Sequence, residues 1–245
     1  MQKNYPRRLF LFRFFVFLGM GFAILPFFSC AARINGPLNA DGSAEFFVNV
    51  SLEPRMAALI RNLAGAAGST GTSAILDGPA IALSMSAAPG IDSVSFVNTA
   101  PSAIEGPVQI SQINELLAGG NRNFVSFEQN SSGGRCLISI SRETSPEILS
   151  RLSPEITDYL AALMAPLATG EALNKAEYLE LVSSVYSRAI SDEISRSRIR
   201  ASISFPGTIR NARGGTFTGR QTDFDIPLLD LLVLETPLSY EVNWN

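Results

Sequence analysis

Apolar and polar positions alternate with period two in several stretches, the pattern of strands with one buried face. Phe46, Val48, Val50 and Leu52 share a face, with Glu45, Asn49 and Ser51 opposite. Val94 and Phe96 mark a second strand after Pro89-Gly90. Val125 and Phe127 lead through Asn130-Ser131-Ser132-Gly133-Gly134 into a strand carrying Cys136, Ile138 and Ile140. That spacing predicts a hairpin with a longer loop. Ile199, Ala201, Ile203 and Phe205 alternate with Arg198, Arg200, Ser202 and Ser204. Leu238, Tyr240, Val242 and Trp244 alternate with Ser239, Glu241 and Asn243.

Other stretches carry helical spacing. Met56, Leu59, Ile60 and Leu63 follow Pro54, a favoured first-turn residue. Asp77-Gly78-Pro79 opens a short helix through Met85, and Ser111 caps one through Leu117. Ser153-Pro154 starts a stronger helix with a stripe of Ile156, Tyr159, Leu160 and Leu163. The longest predicted helix runs from Asn174 to Ile190, with Tyr178, Val182, Val185 and Ala189 on one face. Gly65 to Gly71 reads as a flexible turn.

The order of elements predicts an α+β fold, a mixed or antiparallel sheet with packed helices. The helical block at 146–193 reads as an insertion into a β-rich framework. The last strands are expected to join the sheet begun near Glu45, because isolated hairpins are marginal.

The front of the chain follows a different pattern. Lys3, Arg7 and Arg8 precede an apolar run from Phe14 to Phe28, with no acidic residue before Asp41. The run is short for a membrane span and is interrupted by Gly19, Gly21 and Pro26. A secretory signal over residues 1–29 is expected, leaving one domain over 30–245. The segment Phe27-Phe28-Ser29-Cys30 resembles the lipobox of bacterial lipoproteins, with Phe27 where the strict form has leucine. Cys30 is therefore the expected lipid attachment site (palmitate among the chains). The membrane is then a partner through lipidated Cys30. Ordinary cleavage near Ser29 and an uncleaved anchor are the alternatives.

Composition narrows the chemistry. The chain has no histidine and two cysteines, which removes Ser-His-Asp and Cys-His catalysis and His-liganded metals. Without the leader, 15 basic side chains face 22 acidic ones, a net charge of −7. That balance speaks against nucleic acid as a partner. With Cys30 lipidated, Cys136 has no disulfide partner in the chain and falls on an apolar strand face. A buried thiol is expected there.

One segment is strongly positive. Between Arg196 and Thr222 lie Arg196, Arg198, Arg200, Arg210, Arg213 and Arg220, with no acidic residue. Arg196, Arg198 and Arg200 would share a face of an extended strand, and guanidinium forks suit phosphate or carboxylate. These six are the candidate ligand-binding residues, for an anionic lipid or glycolipid. The alternative is a solvated strand face paired with acids on neighbouring strands. Asp223 and Asp225 share a face and, with Asp230, offer a calcium site or the paired carboxylates of a histidine-free hydrolase as a weaker alternative, but they lack calcium-loop spacing and aspartates beside turns are ordinary. The Gly65–Gly71 segment lacks the Gly-Lys-Ser/Thr ending of a P-loop. Lys175 lacks a Ser-x-x-Lys pattern. No catalytic residue, metal site or cofactor is expected.

Three stretches resemble the LppM-like bacterial lipoproteins. They are Asn39-Ala40-Asp41-Gly42-Ser43 with its following strand; Ala88-Pro89-Gly90-Ile91; and Phe205-Pro206-Gly207 with Asn211-Ala212-Arg213-Gly214-Gly215 and Tyr240-Glu241-Val242-Asn243-Trp244. The resemblance implies an envelope α+β domain associated with lipids or glycolipids. Relatives often carry a C-terminal membrane helix, whereas Ile226 to Leu234 is too short and contains Asp230. The expected function is thus a non-enzymatic, lipid-anchored protein of the bacterial cell envelope that binds a lipid, glycolipid or other envelope component. A structural module docking another envelope protein is the alternative.

Overall fold

The structure is a computed structural model and describes residues 31–66, 75–117, 125–150 and 154–245. The leader, Cys30, residues 67–71 of the glycine-rich turn and Ser153 lie outside them.

Two sheets share one apolar core. The larger contains β1 (Ala31–Pro37), β2 (Ala44–Ser51), β3 (Ile91–Val94), β4 (Val97–Ala100), β5 (Ala103–Ile110), β8 (Arg198–Ser204), β10 (Thr216–Thr218) and β11 (Gln221–Pro227). Its order is β10-β11-β8-β1-β2-β5-β3, with β4 also on β5. The smaller contains β6 (Val125–Asn130), β7 (Gly133–Ile140), β9 (Ile209–Arg213) and β12 (Leu238–Trp244), ordered β6-β7-β12-β9. The β1–β8 pair is parallel, and its neighbours β1–β2 and β8–β11 are antiparallel. The fold is α+β with a mixed sheet, as the order of elements predicts.

The closing strands divide between the sheets. β8, β10 and β11 join the sheet of β2, as expected. β12 does not: it lies between β7 and β9. Its inward side chains Tyr240 and Val242 stand opposite Ile138 and Cys136 of β7. The chain changes sheets at Gly214-Gly215, between β9 and β10.

Two β features depart from the periodic pattern. The β6–β7 hairpin closes on Ser131-Ser132 alone, because Asn130 and Gly133 are register partners. Asn130 Oδ1 accepts the Ser132 N–H at 2.8 Å, so the side chain organises a short turn in place of the longer loop. The strand expected through Val94 and Phe96 is broken. β3 and β4 lie one after the other along β5, and Phe96 drops into the core at the break. The break faces Gly106-Pro107. A Cβ on Gly106 would stand 1.8 Å from the Ser95 carbonyl oxygen. Pro107 has no N–H to donate, while its carbonyl accepts the Ser95 N–H at 3.0 Å.

Helices α1 (Pro54–Ala66), α2 (Gly78–Ser86) and α3 (Ile113–Leu117) lie between strands of the first half. The inserted block holds α4 (Ser145–Leu149), α5 (Pro154–Ala162), α6 (Pro166–Thr169), α7 (Lys175–Val185) and α8 (Arg188–Arg196), between β7 and β8. α9 (Leu228–Val233) follows β11. No helix of the described residues is long and apolar enough to cross a membrane.

The helix expected over Asn174–Ile190 is two. α7 opens on a capping box, with the Asn174 side chain accepting the Glu177 N–H and Glu177 accepting the Asn174 N–H. Tyr178 and Val182 are fully buried, but Val185 is 53% exposed. Ser187 then accepts the Ile190 N–H from its side chain and starts α8 afresh. An N-cap inside an apolar period ended the helix where spacing alone continued it.

A second core forms where α1, α5, α7, α8 and α9 meet. Met56, Ile60, Leu163, Tyr178, Val182, Ile194 and Val233 are buried there. The Tyr178 hydroxyl donates to the Leu163 carbonyl at 3.3 Å, and Arg142 bonds the carbonyls of Leu173 and Val233. The helical lobe is thereby tied to the end of β7 and to α9.

Candidate functional site: a cavity between the sheets

Alternation on both sheets aims apolar side chains at one another. From the larger sheet come Ile34 of β1, Phe46 of β2, Ile199, Ala201 and Ile203 of β8, and Phe224 and Ile226 of β11. From the smaller come Val125, Cys136, Ile138, Ile140, Leu238, Tyr240 and Val242. These side chains do not fill the space, and a cavity of about 370 Å³ remains. Its wall is aliphatic or aromatic apart from the Cys136 thiol.

The ring of Tyr240 meets Phe224 edge-on, at 5.6 Å between centroids. Burial first, and the Asp230 charge second, push the Tyr240 hydroxyl above its ordinary range. Burial pushes the Cys136 thiol up to about 11, so it stays protonated at neutral pH. Cys136 is thus the buried, free thiol the alternation implies.

Trp244 borders the same core. It packs against Phe205 at 5.1 Å and stacks with Phe127 at 5.8 Å. Its indole N–H donates to Gln129 Oε1 at 2.8 Å. A Cβ on Gly134 would stand 2.3 Å from the Trp244 ring, so glycine is what lets the indole lie over β7.

Such a wall offers water few partners, and cavities of this character stay dry or take apolar molecules. Each methylene moved into it from water contributes about 0.8 kcal/mol. The volume lies at the small end of ligand sites, suited to a single apolar chain.

The six arginines do not converge on this cavity. Arg196 is not on a strand: it ends α8 and acts on Glu53. Arg198 and Arg200 lie on β8, but alternation turns Ile199, Ala201 and Ile203 inward and the arginines outward. Arg200 stands opposite Asp225, with its Nε 3.7 Å from Asp225 Oδ1. Arg210 and Arg213 belong to the smaller sheet, where Arg213 is the register partner of Glu241. Arg220 donates to the Phe205 carbonyl at 3.0 Å. A single six-arginine anion site is therefore replaced by scattered positions, at least two of them opposite acids.

The outer face of β1, β8 and β11 forms an open groove of about 640 Å³ carrying Arg33, Arg200, Asp223 and Asp225. Asp223 accepts the Ser202 hydroxyl at 2.6 Å. Its charges are mixed and exposed, the setting of a solvated sheet face. Among the described residues no group of three or more acidic, His or Cys side chains is arranged to hold a metal ion. Lys175 pairs with Asp230 at 2.9 Å, and that hydrogen bond chiefly raises its pKa.

Periodicity missed several cavity residues. Ile34 sits in Ala-Ala-Arg-Ile-Asn-Gly-Pro, which has a single large apolar side chain. Ile110 follows a Gly-Pro pair that resembles a turn. A buried acidic pair, Glu53 and Glu193, also carried no sequence signal, because 140 residues separate the two.

Fold and cavity together define a class: a two-sheet α+β domain with an inserted helical lobe and an apolar chamber between its sheets. No protein-family model matches the chain, and no curated protein matches its sequence. Among solved structures, the NMR structure of the folded domain of the Mycobacterium tuberculosis LppM protein is similar. It shares 11% identity at a TM-score of 0.39, over 91% of this chain and 94% of that one. At that level the likeness transfers no residue's role to this chain.

Proposed function

We propose that the chain is a non-enzymatic lipoprotein of the bacterial cell envelope that holds the apolar part of a lipid or glycolipid between its sheets. The observation that carries this reading is the intersheet cavity, walled by apolar side chains from both sheets. The leader and the lipobox-like end at Cys30 supply the envelope and the anchor. Ala31, the next residue, is the register partner of Arg198. A membrane entered by a lipid on Cys30 would therefore lie near Arg198, which would meet anionic headgroups there.

Mass spectrometry of molecules that co-purify with the full-length protein tests the cavity. The expected result is a lipid or glycolipid, lost in Ala201→Phe, which fills the chamber from β8. Overpacking of this kind costs about 1–3 kcal/mol, so near-UV circular dichroism must show the variant folded. A folded variant that still carries the lipid would reject the reading. A stoichiometric protein in place of lipid would favour the docking module. The anchor is tested separately: Cys30→Ala should release the processed protein from membranes.

A further inference from the structure

A second cavity, of about 230 Å³, lies in the helical lobe. Met56, Ile60, Leu160 and Leu163 give it an aliphatic wall, and Glu53 and Glu193 border it. Glu53 immediately precedes α1, and Glu193 lies on α8. They are only 7% and 5% exposed. Glu193 Oε2 accepts the Met56 N–H at 2.8 Å. Glu53 Oε1 is buried and has no hydrogen-bond partner among the described residues. An orphaned buried acceptor of this kind costs about 1–3 kcal/mol until something donates to it.

Charges of both signs act on Glu53. Arg196, exposed on the last turn of α8, is the cation acting on Glu53. Burial first, and the Glu193 charge second, hold the Glu53 carboxyl above the ordinary carboxylate range. The lobe thus encloses an acceptor in want of a donor, a second carboxylate acting on it, and an aliphatic space beside both.

We propose that this cavity binds a small primary alkylammonium ion, its head between Glu53 and Glu193 and its alkyl body against Met56, Ile60, Leu160 and Leu163. An ammonium brings three donors and one positive charge. A hard divalent cation wants six or more oxygens, which an aliphatic wall does not supply. An anion would meet two carboxylates, and a neutral apolar molecule would leave Glu53 Oε1 unpaired. The site is separate from the intersheet cavity and does not rest on the lipid reading.

Calorimetric titration of the full-length protein with hexylammonium chloride tests this, with hexanol and hexanoate as controls. Hexylammonium should bind roughly tenfold or more tightly than hexanol, the difference expected for a charge-assisted pair, and hexanoate should not bind. Glu53→Gln, nearly isosteric, should lose about that same factor for hexylammonium. Three results would overturn the proposal: no hexylammonium binding, equal binding of hexanol, or unchanged affinity in folded Glu53→Gln. Binding lost in Ala201→Phe and kept in Glu53→Gln would place the amine between the sheets, which also rejects it. The comparison among the three ligands needs no variant, so it decides the matter even if Glu53→Gln fails to fold.

Discussion

Glu193 accepts the backbone N–H of Met56 across 137 residues of sequence. Helix α1 begins with Pro54, so Met56 is its third residue and its N–H has no partner within the helix. A side chain of the inserted lobe therefore caps a helix of the first half. Glu193→Gln keeps an acceptor there, whereas Glu193→Ala removes it. Glu193→Ala should be less stable than Glu193→Gln by about 1–2 kcal/mol, the usual range for a lost cap. Urea denaturation of the two variants measures the difference, and equal midpoints would show that the bond contributes nothing.

Glu53 links stability to pH in the direction opposite to a paired surface acid. Its folded-state pKa lies above the ordinary 4.5, so the folded protein holds that proton more tightly than the unfolded chain. The resulting stabilisation is fully present below 4.5 and is lost as pH rises through the raised value. Glu53→Gln does not titrate. Relative to that variant, the wild type should lose stability as pH rises above about 4.5. Each kcal/mol corresponds to roughly 2–4 °C in Tm for a domain of this size. Thermal melts across that range check the sign, and a constant offset would contradict it.

Cys136 should resist a polar thiol reagent at pH 7.5 while the protein is folded, because burial keeps it protonated and out of reach. In denaturant it should react fully. If Cys30 carries lipid through its sulfur, the denatured protein titrates as one thiol per chain. Two thiols would show an unmodified Cys30.

Trp244 is the only tryptophan, so its fluorescence reports on one place. Trp244→Phe should cost about 1–3 kcal/mol, since it shrinks the ring between Phe127 and Phe205 and leaves Gln129 Oε1 without its donor. Gln129→Ala should cost less and shift the emission, because the indole N–H loses its acceptor.

The strands most legible in sequence were those with one wet face. β8 and β12 alternate cleanly because solvent lies behind them, so Arg198, Arg200, Glu241 and Asn243 mark the outside. β1 was not legible. It lies between β2 and β8, and its place is set by backbone hydrogen bonds on both edges that any residue can make. β5 carries a regular alternation of Ile104, Val108 and Ile110, yet Gly106-Pro107 punctuates it like a turn. There the same two residues break the strand on its flank. The long apolar period of α7 and α8 concealed Ser187, whose side chain decides the break but adds nothing to periodicity.

The site was half legible. Alternation names Ala201, Ile203, Cys136, Tyr240 and Val242 as inward, and all five line the cavity. It could not say that two sheets, rather than one, would share the task. Counting arginines along the chain suggested a cluster, but a turn, two sheets and a helix end keep Arg196, Arg210 and Arg220 apart.

β1 begins at Ala31, with no slack between it and the cysteine expected to carry lipid. A strand held on both edges makes a stiff mount. A pull on the anchor would load the bonds to β2 and β8 in shear, many at once, instead of peeling them singly. If Cys30 carries lipid, whatever tugs on that lipid tugs on the interior of the larger sheet, because β1 lies between β2 and β8.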